Sequence, residues 1–260
     1  MKLKQFCLAA AFTTFLMYFL LMASLAYFFS GERFWEVLLS ERMLFSIRLS
    51  IMAATIAMGL AMLLAVPTAY ALSRYDFFGK TLLDTLLELP MIVSPAAIGA
   101  MLLIFFNTPL GEWIQTNFQQ FVFTVYGIVL AQFVTVAGVA ARLVKSALDE
   151  IPPRYEAVAR TLGASTFAAF RTTTLPLCRR GIFAAAILTW AKAIGEFGAT
   201  ITIAGTMAMR TETMPVAIYM RLAISDIKGA VVCIGILLFI GISVLYAARL
   251  IAKRGIYAGN

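Results

Sequence analysis

Time after time this chain runs for about twenty residues on apolar side chains, the length a helix needs to cross the hydrocarbon core of a bilayer. Six such stretches stand out: Phe6–Phe29, Leu44–Leu72, Glu88–Phe106, Val122–Ala141, Gly181–Ala204 and Gly229–Ala252. Backbone in lipid must satisfy its own N–H and C=O groups, so a spanning segment is either a helix or a strand of a closed barrel. Barrel strands alternate apolar and polar side chains, whereas these runs are continuous and predict helices. The hydrophobic share of 62% is well above that of soluble domains. The expected fold is all-α, an integral membrane helical bundle with six transmembrane helices. Residues 1–260 form one transmembrane domain, and the polar segment 146–180 lies within it. Pro90 and Pro95 interrupt the third stretch.

At the N-terminus Lys2 and Lys4 precede an apolar run, and Ser24-Leu25-Ala26 loosely resembles a cleavage site. That run is longer than the apolar region of a secretory signal, roughly 7–15 residues, so an uncleaved first helix is expected. Lysine and arginine favour the cytoplasmic side. With the N-terminus inside, fourteen of the 21 lysines and arginines fall in inner segments or at the inner end of a span, six fall in outer segments or at an outer end, and Lys192 lies in the interior of a span. Both termini and the 146–180 segment are therefore expected in the cytoplasm. This bias accounts for the net charge of +8, and no nucleic-acid partner is called for.

Several chemistries are excluded by composition. Without histidine there is no Ser-His or Cys-His catalytic arrangement and no His-bearing zinc site. Cys7, Cys178 and Cys233 are odd in number and widely spaced. They read as buried small apolar residues, not as a disulfide framework. The chain has no G-x-x-x-x-G-K-[ST] phosphate loop. No catalytic or metal-binding residues are expected, and any ATP-driven work falls to a partner.

The polar stretch Leu148–Gly181 is helix-forming throughout. Pro152 and Pro153 suit the first turn of a helix, and Asp149 or Glu150 favours the positive end of its dipole. Tyr155, Val158, Ala159 and Leu162 then form a one-sided apolar stripe, with Arg154, Glu156 and Arg160 largely off it. Gly163 is placed to end the helix in a left-handed conformation. Ser165 is placed to cap a second short helix through Phe167, Phe170 and Arg171, which Leu175-Pro176 should stop. The product is a helix–turn–helix projection, either a docking element or an amphipathic hairpin lying on the membrane surface.

Glu156-Ala157-Val158, Gly163, Thr173 and Leu175-Pro176 follow the order of the EAA loop of ATP-binding-cassette (ABC) importer permeases, which the chain resembles. Val158 stands where that pattern has alanine, and Thr173 where it has isoleucine. The resemblance implies that Glu156, Ala157, Val158, Gly163, Leu175 and Pro176 form the docking site for a cytoplasmic ATPase. It extends over about residues 44–252. The second-span region looks like that of the molybdate, tungstate and sulfate permeases, and Gly195-Glu196-Phe197-Gly198-Ala199-Thr200 is similar to a segment these oxyanion permeases share. Lys192 stands where arginine is more common there. GEFGAT leans toward molybdate or tungstate, and sulfate or thiosulfate is the alternative.

Lys192 and Glu196 are four residues apart inside an apolar span, where each costs about 2.5–3.5 kcal/mol. They are expected to face a pore or a partner helix and to pair with each other, Lys192 being nearer an anion route. Gly195 and Gly198 serve close helix packing or backbone contact with substrate. Pro90 and Pro95 each remove a backbone donor; the segment is either kinked or, with Ser94 and Gly99 nearby, lines a pore. The candidates for the translocation pathway are therefore Lys192, Glu196, Gly198, Thr200, Pro90, Ser94 and Pro95. Residues 205–229, with the apolar run Met214–Met220, form either an outer gate helix or an interfacial helix.

The resemblance implies a permease subunit of a bacterial or archaeal cell (inner) membrane, with no cofactor of its own; ATP and Mg are bound by the partner. Two ABC ATPase subunits, a second permease copy in a homodimer, an extracytoplasmic oxyanion-binding protein and the lipid bilayer are its expected partners. A passive channel or structural membrane protein is the alternative of another class, and the patterned loop counts against it. An integral-membrane enzyme is disfavoured by the absent histidines.

Overall fold

The computed structural model describes residues 2–257, in which helices and their connections make up the whole fold. They are α1 (Lys2–Tyr27), α2 (Gly31–Leu38), α3 (Glu41–Arg74), α4 (Lys80–Leu86), α5 (Leu89–Ile92), α6 (Pro95–Phe106), α7 (Pro109–Asn117), α8 (Val125–Asp149), α9 (Arg154–Thr161), α10 (Thr166–Ala169), α11 (Leu175–Ile194), α12 (Gly198–Ala204), α13 (Met214–Ala223) and α14 (Ile227–Tyr257). A π-helical turn, Phe170–Thr174, joins α10 to α11.

Four of these, α1, α3, α8 and α14, are long and apolar enough to cross a membrane unaided. The expected third and fifth spans are not continuous helices. Lys80–Ile92 and Pro95–Phe106 meet at 110°, and Thr166–Ile194 and Gly198–Ala204 at 54°. Counting each bent pair as one span gives six. At the first break Val93 and Ser94 are extended, and Pro95 opens the next helix. A residue before proline avoids the helical region, and proline is welcome at the first helical position.

The centre of the bundle is the pairing of α3 with α8. Ala53, Ala57, Ala61, Ala65 and Ala69 recur every four residues along α3 and are all buried. This strip of small side chains lets the backbones approach closely, and Val136, Ala140, Ala141 and Val144 of α8 pack with it. Helix α3 has 34 residues, about 50 Å at the usual rise, against a hydrocarbon core of about 30 Å. Its length exceeds that of the core, and its last turn meets the polar 146–180 segment through Arg74.

At the opposite end Arg42 holds both carboxylate oxygens of Glu212, at 2.7 and 2.8 Å. The Met214 N–H donates to Ser50 Oγ at 2.7 Å. The first turn of α13 is buried, so this helix is built into the bundle and does not lie free at the interface. Asp226 accepts from both Arg33 (3.0 Å) and Arg221 (2.7 Å). Of the cysteines, Cys178 and Cys233 are buried as expected, but Cys7 is exposed, because α1 has none of its apolar window buried within the chain.

Candidate functional site

In most helices outside a membrane the apolar stripe packs inward. Helix α9 does the reverse. Tyr155, Val158 and Leu162 are exposed, as is Phe167 on α10, while Glu156 is buried with its side chain 12% exposed. The carboxylate is the anchor of the hairpin. Oε1 accepts from Arg74 Nε at 2.9 Å and from Thr174 Oγ1 at 2.6 Å, and Oε2 accepts from Tyr70 OH at 2.8 Å. These donors come from the end of α3 and the π-helical turn, so one side chain ties α9 to both.

Arg74 extends the anchoring. Its Nη2 donates to the carbonyls of Ile151 (2.8 Å) and Leu148 (3.2 Å), holding the chain between α8 and α9. Tyr70 packs edge-on against Phe170, ring centroids 4.7 Å apart. Burial pushes the Glu156 carboxyl up, but the hydrogen bonds from Thr174, Arg74 and Tyr70 and the Arg74 charge outweigh it and hold its pKa below the ordinary glutamate value. The carboxylate is therefore ionised at neutral pH.

Gly163 lies at φ +92°, and a Cβ there would meet nothing within 4 Å. It supplies the left-handed turn the sequence predicts and leaves the outer side open. Ser165 Oγ accepts from Ala168 N–H at 3.2 Å, capping α10 as expected. Ala157 and Val158 are exposed beside it, and Pro176 is exposed while Leu175 is half-buried. Ala157, Arg160, Thr161, Ala164, Ser165 and Thr166 line an open notch between α9 and α10.

Two expectations for this segment are corrected. Leu175-Pro176 does not stop the second helix, because Thr166–Ile194 runs on as one helix through the π-helical turn. Pro176 lacks an N–H and would crowd a regular preceding turn, and the widened turn just before it removes that conflict. Asp149 does not serve the α9 dipole. It belongs to α8, where Ser73 Oγ donates to it at 2.5 Å and Lys145 at 3.1 Å.

The second group of candidates lies at the helix breaks. Pro95 and Gly198 come together, with Ser94 preceding Pro95 in the chain: a Cβ on Gly198 would lie 2.9 Å from Ala96 N and 3.1 Å from Pro95 Cβ. One turn on, a Cβ on Gly99 would lie 2.7 Å from Thr202 Cβ and 2.8 Å from Ala199 O. Glycine at both positions lets α6 and α12 pack backbone to backbone. Each helix start has a side-chain cap, Ser94 Oγ accepting from Ala97 N–H (3.3 Å) and Glu196 Oε1 from Ala199 N–H (3.0 Å). Pro90 lies in α5, lining an apolar hollow with Leu86, Ile98, Met101 and Phe133.

Lys192 and Glu196 do not pair. Helix α11 ends at Ile194, so the two residues do not share a helical face. Lys192 is exposed, whereas Glu196 is buried and spends its carboxylate on the cap of α12. The residues missed by sequence reasoning are Tyr70, Arg74 and Thr174 around Glu156, and Gln132 of α8, which is wholly buried. Arg74 and Tyr70 are spaced four apart at the polar end of an apolar run; that was the available signal.

A bundle of this kind, with four long apolar helices and two broken spans, is that of a multi-pass membrane protein. The chain belongs to the family described as the binding-protein-dependent transport system inner membrane component, whose profile matches residues 57–256. It is 30% identical over 227 residues to the sulfate transport system permease protein CysT of Escherichia coli, covering 86% of this chain and 82% of that protein. It is 36% identical over 180 residues to the molybdenum transport system permease protein ModB of Haemophilus influenzae, covering 67% and 77%. Among solved structures, a bacterial ABC transporter that imports alginate superposes with a TM-score of 0.76 at 15% identity, covering 96% of each chain. The MetNI methionine transporter gives 0.61 at 15%, covering 83% of this chain and 99% of that one; these likenesses speak to fold. The chain is thus a multi-pass membrane protein and a permease subunit of an ABC importer.

Proposed function

We propose that this permease imports a tetrahedral oxyanion dianion, molybdate or tungstate, driven by ATP hydrolysed on partner subunits docked at the Glu156–Pro176 hairpin. The observation that carries the docking reading is the inverted α9, with its anchor carboxylate inside and its apolar side chains outside. Exposed apolar side chains on a rigid, polar-tethered element are what a partner's groove requires. The left-handed Gly163 lets that partner come close. Rigid-body transmission through such an element needs no chemistry in the permease.

In this reading two ATPase subunits bind ATP and Mg on the cytoplasmic side and a second copy of the permease completes the pathway. Both termini share the cytoplasmic side with the hairpin, and an extracytoplasmic binding protein supplies the anion. Relatives named for sulfate and for molybdenum transport support the tetrahedral oxyanion class. The GEFGAT segment and the higher identity to ModB favour molybdate or tungstate, and the longer match to CysT favours sulfate as the second reading.

The test is uptake of labelled molybdate, tungstate and sulfate by proteoliposomes holding the complex, with the binding protein supplied outside and ATP inside. Molybdate or tungstate should be accumulated and should compete with each other. Accumulation of sulfate alone would replace the first reading with the second, and ATP-independent equilibration would overturn the importer mechanism.

A further inference from the structure

Among the described residues the interior holds three apolar clusters, and the two larger ones meet along three elements. On α3 the change is between Ala53 and Ala54, on α8 between Ala131 and Val136, and on the fifth span between Ile194 and Ala199, at its break. Side chains at the seam are polar: Gln132 and Thr135 on α8, Glu196 and Thr200 at the break, all buried. Thr135 donates to a backbone carbonyl at 2.9 Å and Glu196 caps α12. Gln132 and Thr200 are different. Among the described residues neither amide atom of Gln132 and no partner for the Thr200 hydroxyl completes a hydrogen bond, and three of the four buried side-chain atoms in that condition belong to these two residues.

A buried amide with no partner destabilises the fold, and leucine would fill the same space without that penalty. Its presence at a seam beside two helix breaks points to a partner acquired in another state of the protein. We infer that Gln132 and Thr200 are the transit donors of this permease, the neutral N–H and O–H groups that hydrogen-bond the oxyanion as it passes the middle of the bundle. The inference rests on the oxyanion reading given above.

The chemistry suits the task. A passing anion must be held strongly enough to enter the apolar interior and weakly enough to leave it. An amide and a hydroxyl offer charge-assisted hydrogen bonds without the fixed positive charge that would trap a dianion. Because Gln132 is fully buried, the anion reaches it when α6 and α12, locked together through Gly99 and Gly198, swing on their two breaks.

The experiment compares Gln132→Leu and Thr200→Val with the parent in the reconstituted complex, by thermal melting and by oxyanion uptake. Gln132→Leu should melt at or above the parent temperature yet lower the maximal uptake rate about ten-fold or more, the scale of one hydrogen bond to a charged group. The half-saturating concentration should stay put, since the binding protein sets it. Thr200→Val should change uptake in the same direction by less, without loss of stability. A clear fall in melting temperature for both variants would mean that these groups are already satisfied in the resting core and would overturn the inference, as would parental uptake by Gln132→Leu. A parent complex that takes up no tetrahedral oxyanion would instead overturn the substrate reading.

Discussion

The polar hairpin and the mid-bundle seam treat buried polar groups in opposite ways. Around Glu156 both carboxylate oxygens are engaged, by donors from two other elements. At the seam Gln132 and Thr200 are sealed away without partners. A fully satisfied polar network fixes one arrangement, because any other leaves a charge exposed to low dielectric. An unsatisfied one leaves the arrangement poised, because some other state does better. In the reading proposed above a lever has to be stiff and a gate has to move, and the two regions would divide those duties.

The contrast can be broken most forcefully at Glu156. Glu156→Ala leaves the nearly buried Arg74 without its carboxylate, and removal of one member of such a pair typically costs about 3–5 kcal/mol. A large drop in melting temperature and loss of the ATPase on co-purification are expected, and parental behaviour would mean that the hairpin is held by something else. Next is Gly99→Ala. Its Cβ would press on Thr202 and the Ala199 carbonyl, an overpacking of about 1–3 kcal/mol. Uptake should fall while ATPase binding persists, separating the gate from the lever.

Gly163→Val sharpens the comparison from the other side. The left-handed conformation costs an L-residue about 1–2 kcal/mol, but the local space is open, so the permease should still insert and fold. The ATPase should no longer dock; intact co-purification and transport would remove Gly163 from the interface. Ser94→Ala should cost about 1 kcal/mol through the lost cap and slow uptake mildly, which melting and flux measurements would register.

The smallest effect is that of pH. The Glu156 carboxyl is held below its ordinary value, so its contribution to folding is complete above the unfolded value, about 4.3, and is lost as pH falls through the lower folded value. The melting temperature of the parent should therefore fall more steeply below that pH than that of Glu156→Gln. Parallel curves would contradict the ionised anchor.

Much of this was legible along the chain. Apolar runs of spanning length mark α1, α3, α8 and α14 directly, since a bilayer thickness translates into a residue count. Gly163 and Ser165 could also be read, because a left-handed turn and an N-cap are local matters settled by a single side chain. Pro90 and Pro95 signal an interruption but not its angle. A proline reports a missing N–H, while the 110° bend depends on what the two halves pack against. Lys192 and Glu196 misled for the same reason. Their spacing suggests a pair only if the helix continues, and it ends at Ile194, with Gly198 beyond the break packed against Pro95 and Ala96.

By itself the sequence determined that this chain crosses a membrane several times as helices, that it carries a polar hairpin with a glycine turn, and that it lacks the G-x-x-x-x-G-K-[ST] pattern of a phosphate loop. These follow from hydrophobicity, local backbone preference and the absence of particular residue types, all properties of short windows. Tertiary structure alone decided that Glu156 turns inward to Tyr70, Arg74 and Thr174, that the two broken spans meet through Gly99 and Gly198, and that Gln132 is sealed in without a partner. Those outcomes join residues from about twenty to over one hundred positions apart, and they are set by which groups find hydrogen bonds once the helices have packed.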